Sequence, residues 1–154
     1  RDIEGIGFGI ITLQRPLGDR EPWVDLVEVA GPVAPGVGHA LDAGLRARTA
    51  IAEGGAAYLL DTPWSAAPDV TEERHLRPGA EDPSVILARQ GGGLRRTVQL
   101  DTVAAGLLSV CDGSLTPRVA LAAIASLLDL DDEHVTEVAI PTLRALVADG
   151  FLLD

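Results

Sequence analysis

The stretch Leu100–Asp154 reads LDTVAAGLLSVCDGSLTPRVALAAIASLLDLDDEHVTEVAIPTLRALVADGFLLD, and it spells out three helices with their start and stop signals. Asp101 stands where an N-cap belongs, ahead of Val103, Leu107, Leu108 and Val110, and Gly113 supplies the stop. Thr116 caps a second helix with Pro117 at its first position, the place where proline is tolerated best. Val119, Leu121, Ile124, Leu127 and Leu128 give that helix a broad apolar face. Asp131 or Asp132 opens a third, and Glu133 sits in its first turn, where the helix dipole favours an anion. Val135, Val138, Leu143, Leu146 and Val147 recur at spacings of three and four. Pro141 should kink this helix or split it, and Gly150 ends it. Phe151-Leu152-Leu153 can then pair back as a short strand.

Immediately upstream, Val85–Arg89 and Leu94–Leu100 read as the two strands of a hairpin, joined by the flexible turn Gln90-Gly91-Gly92-Gly93. Hairpin and three helices together make a winged-helix-like module over residues 84–154. Further back, Pro78–Pro83 is a clear break, Val70–Leu76 suits an exposed strand, and Trp64–Pro68 suits a loop. Tyr58-Leu59-Leu60 could be a short strand, and Val37 to about Glu53 is helical, stopped by Gly54-Gly55. Ile6–Leu13 and Trp23–Val29 both alternate, so residues 5–29 predict a first β-hairpin turning at Pro16–Asp19. The expected fold class is α+β. Its divisions are a terminal hairpin over 1–34, a connecting helix and strands over 35–83, and the module over 84–154.

Composition fits a folded chain of one core or one module plus an appendage: 154 residues, 47% hydrophobic and 23% charged. Aromatics are only 3%, so Leu, Val, Ile and Ala must build the core. There is no run of eighteen apolar residues and no signal peptide at Arg1, and the lone Cys111 excludes an intramolecular disulfide. A cytoplasmic location is expected. The absence of Met implies that Arg1 is not a translation start and that the chain is a piece of something longer. All twelve basic residues are arginine, a skew typical of high-GC actinobacterial genomes. The formal net charge of −11 disfavours nucleic-acid binding by the surface as a whole, because duplex binding needs clustered cations.

Each motif has a plain structural reading beside its functional one. Gly5-Ile6-Gly7-Phe8-Gly9 has the glycine spacing of a nucleotide or S-adenosylmethionine loop, but it leads into a strand-like run, not into a helix. Arg89, Arg95 and Arg96 on the Gly-rich hairpin are the one concentrated basic patch and the candidate contact surface, able to fork phosphates or simply to balance the acidic helices. Glu72, Glu73, Arg74 and His75 are neighbours without metal-ligand spacing. Asp129, Asp131, Asp132, Glu133 and Glu137 lack the alternating ligands and central glycine of an EF-hand, and read as caps plus a solvated face. Cys111 sits on an apolar helix and reads as core. No catalytic residue, cofactor-binding residue or metal ligand is assigned.

Several phrases resemble the C-terminal third of an actinobacterial family of HemK-like class I S-adenosylmethionine-dependent methyltransferases. They are Gly7-Phe8-Gly9 through Thr12-Leu13, Arg20-Glu21-Pro22, Arg77–Pro83, Gly92–Arg96, Cys111-Asp112-Gly113 and Leu146–Leu152. The resemblance spans nearly the whole chain. It implies that the first hairpin is the antiparallel end of the methyltransferase sheet and the rest a winged-helix-like extension. It also implies S-adenosylmethionine as cofactor of the parent protein, an upstream catalytic domain as partner, and an RNA or protein substrate. The family's cofactor loop and Asn/Asp-Pro-Pro-Tyr motif lie upstream of these phrases. This chain has no Asn and no Pro-Pro, so no residue carries over as catalytic. Residues 84–153 are also similar to the small peptide-binding domains of pyrroloquinoline quinone biosynthesis, which hold a leader peptide as an added strand. Peptide binding at the 85–100 hairpin is therefore the alternative. A DNA-binding winged helix ranks last, because the third helix sets Arg144 against Asp132, Glu133, Glu137 and Asp149.

Overall fold

A computed structural model describes residues 6–16, 18, 22–29 and 31–154. The architecture is α+β. Helix α1 (Val37–Asp61) is followed by the strands β1 (Ser65–Ala66), β2 (Val70–His75), β3 (Val85–Gln90) and β4 (Thr97–Leu100). Then come α2 (Thr102–Val110), α3 (Pro117–Leu128), α4 (Asp132–Ala148) and the closing strand β5 (Leu152–Leu153).

The three expected helices form, and local chemistry sets their ends. Asp101 accepts from the Ala104 amide at 2.7 Å and Asp131 from the His134 amide at 2.8 Å, so both act as side-chain N-caps. Thr116 is the N-cap of α3 without a side-chain bond, and Pro117 follows it inside the first turn. α4 runs unbroken through Pro141 and is not split there. It closes in a Schellman turn: Gly150 at φ +78° donates to the Val147 carbonyl, and Phe151 donates to that of Leu146 at 2.8 Å.

That turn aims Phe151 and Leu152 into the core, where both are almost fully buried. β5 then pairs with β1, Ser65 opposite Leu153. The predicted return strand exists, and its partner lies in the stretch expected to be a loop. Trp64 is 1% exposed beside it, donating Nε1–H to the Leu59 carbonyl at 2.9 Å and meeting Tyr58 edge-on at 5.3 Å. One apolar cluster runs from Ile51 through Ile86, Leu107, Leu121 and Leu143 to Leu152, joining α1 to the C-terminal helices.

The hairpin β3–β4 forms with Ile86 opposite Leu100 and Ala88 opposite Val98. Ile86 and Ala88 face inward, as a period of two requires. β2 lies antiparallel on the other edge of β3, so the order is β2-β3-β4. The returning strand is shorter than expected, because Leu94–Arg96 belong to the turn, where Arg95 takes φ +51°.

Two further expectations fail. Tyr58–Leu60 is helical: the break at Gly54-Gly55 is real, with Gly55 at φ +60°, but the chain resumes its helix to Asp61. The second failure concerns the first hairpin. Residues 6–16 and 22–29 form no strand, and Phe8, Ile11, Leu13 and Leu26 are 87–99% exposed. Alternation makes a segment suited to a ladder, yet a strand needs a partner's backbone, and here the described residues offer none. Gly5, Leu17, Asp19, Arg20 and Glu21, parts of that expected hairpin and of the family phrases, lie outside the described residues.

Candidate functional site

The three arginines expected to form one contact surface go three ways. Arg89 stands on the outer face of β3, and its Nε bonds Glu73 Oε1 at 2.6 Å across to β2. This hydrogen bond holds the Glu73 carboxyl below the usual carboxylate range. Arg89 also reaches Thr97 Oγ1 at 3.3 Å, so its charge is committed within the sheet. Arg96 turns the opposite way, towards the end of α4. Arg95 alone is exposed with no ion-pair partner among the described residues.

The glycine turn that bears them does not project. Gly92 N–H donates to Asp69 Oδ2 at 2.8 Å and Gly91 N–H to the Asp69 carbonyl at 2.9 Å. Ala34 N–H reaches the Gly93 carbonyl at 2.8 Å. A Cβ at Gly93 would stand 2.8 Å from that of Ala40, on a backbone at φ +57°, so glycine is required where the turn packs on α1. Leu94 is buried in the same fold-back. The tip is thus sealed against α1 and is not a free wing.

Arg96 enters a polar junction that no local pattern announces. Asp149, just past α4, receives Arg48 NH2 from α1 at 3.0 Å and Arg96 Nε at 3.5 Å. Gln90 Nε2 and Arg96 NH1 donate to the Asp149 carbonyl at 2.9 and 3.2 Å. Arg48 also donates to the Ala148 carbonyl and, through Nε at 2.6 Å, to Asp25. Two guanidiniums therefore converge on the negative end of a long helix, where cations are favoured. Arg48 and Asp149 are 101 residues apart in sequence. Their one sequence signal is a carboxylate beside a helix-ending glycine.

Beside the junction lies a cavity of 420 Å³ between residues 23–27, α1 and α4. Trp23 and Val27 wall it on one side, Ile51 and Pro141 on the other, with Arg48 and Arg144 at its edge. Arg144 has no ion-pair partner among the described residues, whereas Arg48 is saturated.

No activated nucleophile emerges among the described residues. Cys111 is buried, and burial, helped by the Asp112 charge, pushes its thiol up to about 11. His75 Nε2 lies 3.4 Å from Glu73, but that carboxylate is the one held by Arg89. Among the described residues no group of three or more His, Cys, Asp or Glu is placed to hold a metal ion. Gly7 and Gly9 sit in chain that is neither helix nor strand, where a Cβ would meet nothing within 4 Å, and the next helix begins only at Val37. No helix among the described residues is long and apolar enough to cross a membrane. Family models, curated proteins and solved structures were each compared with the chain, and none matches it.

Proposed function

We propose that the chain is the non-catalytic C-terminal part of an S-adenosylmethionine-dependent methyltransferase, recognising or holding substrate while upstream residues of the same protein carry out the transfer. The observation behind this reading is the exposed apolar N-terminal stretch. Ile6, Phe8, Ile11 and Leu13 are 79–99% exposed, and Val24 and Leu26 are 87% and 92% exposed. Contiguous exposed apolar surface of this kind marks an interaction site. Apolar side chains on both faces suit a strand that is covered on both sides within a larger sheet. The end strands of a methyltransferase sheet supply that cover.

The chain's own residues do not fit the cofactor. A glycine loop binds S-adenosylmethionine by aiming backbone amides from a strand-to-helix turn, and Gly7 and Gly9 open no helix. No step of methyl transfer is therefore assigned here. The acceptor in this reading is RNA or protein, in the cytoplasm. DNA is disfavoured because the first turn of α4 is acidic and two of the three hairpin arginines are already paired.

Calorimetry tests the division of labour. S-adenosylmethionine titrated into this chain should give no heat, and into the chain extended by its encoded upstream residues should give a saturable site. A micromolar site on the chain alone, or none on the extended protein, would overturn it. A second reading, a peptide-binding adaptor, is favoured by one feature. β4 is an edge strand, so Thr97–Leu100 offers a ladder to an added peptide strand. β3 is flanked on both sides and cannot. Peptide-induced NMR shifts confined to residues 97–100 would select that reading.

A further inference from the structure

A second surface, independent of the methyltransferase reading, lies on the opposite element pair. Between α2 and the first half of α4 is an apolar cavity of 180 Å³, walled by Val103, Ala104, Leu130, Val135, Val138 and Ala139. Its mouth is apolar too: Val138 is 56% and Leu130 50% exposed. Small-molecule pockets generally enclose ~300–1,000 Å³. This one is smaller and suits an anchoring aliphatic side chain. Both principal walls are helices, whose first turns are capped by Asp101 and Asp131, so the groove offers no strand ladder to an occupant.

Charge fixes the kind of occupant. Asp101 lines the cavity, and Asp129, Asp131, Asp132 and Glu133, all exposed, flank the lining residues Leu130 and His134 along the chain. From Leu127 to Leu143 there are five carboxylates and no arginine. Arg118 interacts electrostatically with Asp132 but is already gripped by Asp61 at 2.7 and 3.1 Å. His134 lies within the lining. A second copy, with a net charge of −11 of its own, would bring like charge to this rim.

We propose that the α2–α4 groove docks a basic amphipathic helix of a partner protein, whose apolar side chains enter between Val103 and Val138 while its lysines or arginines face the surrounding carboxylates. This is helix-in-groove recognition, read by anchors at i, i+3, i+4 and i+7. The probe is a labelled helical peptide with leucine at those positions and lysine elsewhere, beside a counterpart with glutamate in place of lysine, each titrated into the whole chain. The lysine peptide should bind at least about tenfold more tightly than the glutamate one, and added salt should weaken it. Its NMR shifts should fall on Leu130, His134, Val138 and Thr142, with His134 a clean reporter among only three histidines. Val138→Arg, at a half-exposed position that leaves the core intact, should weaken binding at least about tenfold. Val119→Arg, equally exposed on α3 and outside the groove, should not. Equal binding of the two peptides, no binding by either, or equal loss in both variants would overturn the proposal. So would a dimer of the chain that V138R dissociates, which would make a second copy the occupant.

Discussion

Replacing Asp149 tests the junction that ties α1, β3, the glycine turn and α4 together. Asp149→Ala removes a charged hydrogen bond to Arg48 at 3.0 Å and a looser pairing with Arg96 at 3.5 Å. Arg48 and Arg96 have side chains only 17% and 15% exposed, so water replaces the carboxylate poorly. A charged hydrogen bond is worth about 1.5–3 kcal/mol. Asp149 is about one-third exposed, which argues for the lower half of that range. The longer Arg96 contact adds roughly 0.5–1 kcal/mol. The backbone carbonyl of Asp149 keeps its donors Gln90 and Arg96, and Asp25 still faces Arg48, which limits the damage. The expected loss is about 2–3 kcal/mol for Asp149→Ala, and about 1–2 kcal/mol for Asp149→Asn, which keeps an acceptor but not the charge. Urea unfolding followed by Trp64 fluorescence in a Trp23→Phe background reads both, since Trp64 is core. A double-mutant cycle with Arg48→Gln should return a coupling of about 1 kcal/mol or more. Losses within about 0.5 kcal/mol of zero for Asp149→Ala, or a coupling that small, would show that the junction does not hold these elements together.

Cys111 gives a pH test. Its thiol is raised from 9.0 to about 11 in the fold, so between those values the unfolded chain gives up a proton that the folded one keeps, and stability falls as pH rises. Cys111→Ala should remove that part of the alkaline slope, on the order of 2 kcal/mol by pH 11 and absent below pH 8, leaving the loss from Tyr58, which burial also raises. Alkylation of the folded protein at pH 8 should be slow, with about one thiol in a thousand ionised. Asp131→Ala should cost about 1 kcal/mol through the lost cap of α4, measured by thermal or urea unfolding, and Asp131→Asn much less. Gly93→Ala meets both a left-handed backbone and a Cβ at 2.8 Å, so a loss of about 1–3 kcal/mol is expected, with Gly7→Ala as the neutral control.

What the sequence made legible follows the range of each interaction. Asp101, Pro117, Asp131 and Gly150 act within one turn of their own helices, so their signals are complete in a few residues. Apolar periodicity correctly placed Leu121, Leu143 and Leu146 in the core, but it also enrolled Val119 and Leu127, which are 54% and 84% exposed. Period tells which side chains share a face, not which faces find cover. The N-terminal alternation failed for the same reason. The return strand β5 was expected after Gly150, but its partner β1 was beyond periodicity because two residues cannot establish a period, and the pairing joins Ser65 to Leu153. The arginine patch looked single because Arg89, Arg95 and Arg96 are close in sequence. Alternation across the sheet sends Arg89 outward to Glu73, while the turn directs Arg96 to Asp149. The pairing of Arg48 with Asp149 carried no signal beyond a carboxylate next to Gly150, since nothing local links a residue of α1 to one at the end of α4.

In the proposed methyltransferase reading, the apolar N-terminal stretch completes a sheet supplied by upstream residues of the same protein. Amide hydrogen exchange at Ile6–Leu13 tests it directly, compared between this chain and the chain extended by its encoded upstream residues. Those amides should exchange freely in the chain alone and be protected at least about a hundredfold in the extended protein, as for paired strands within a core. Fast exchange in both would mean that upstream residues do not pair with this stretch.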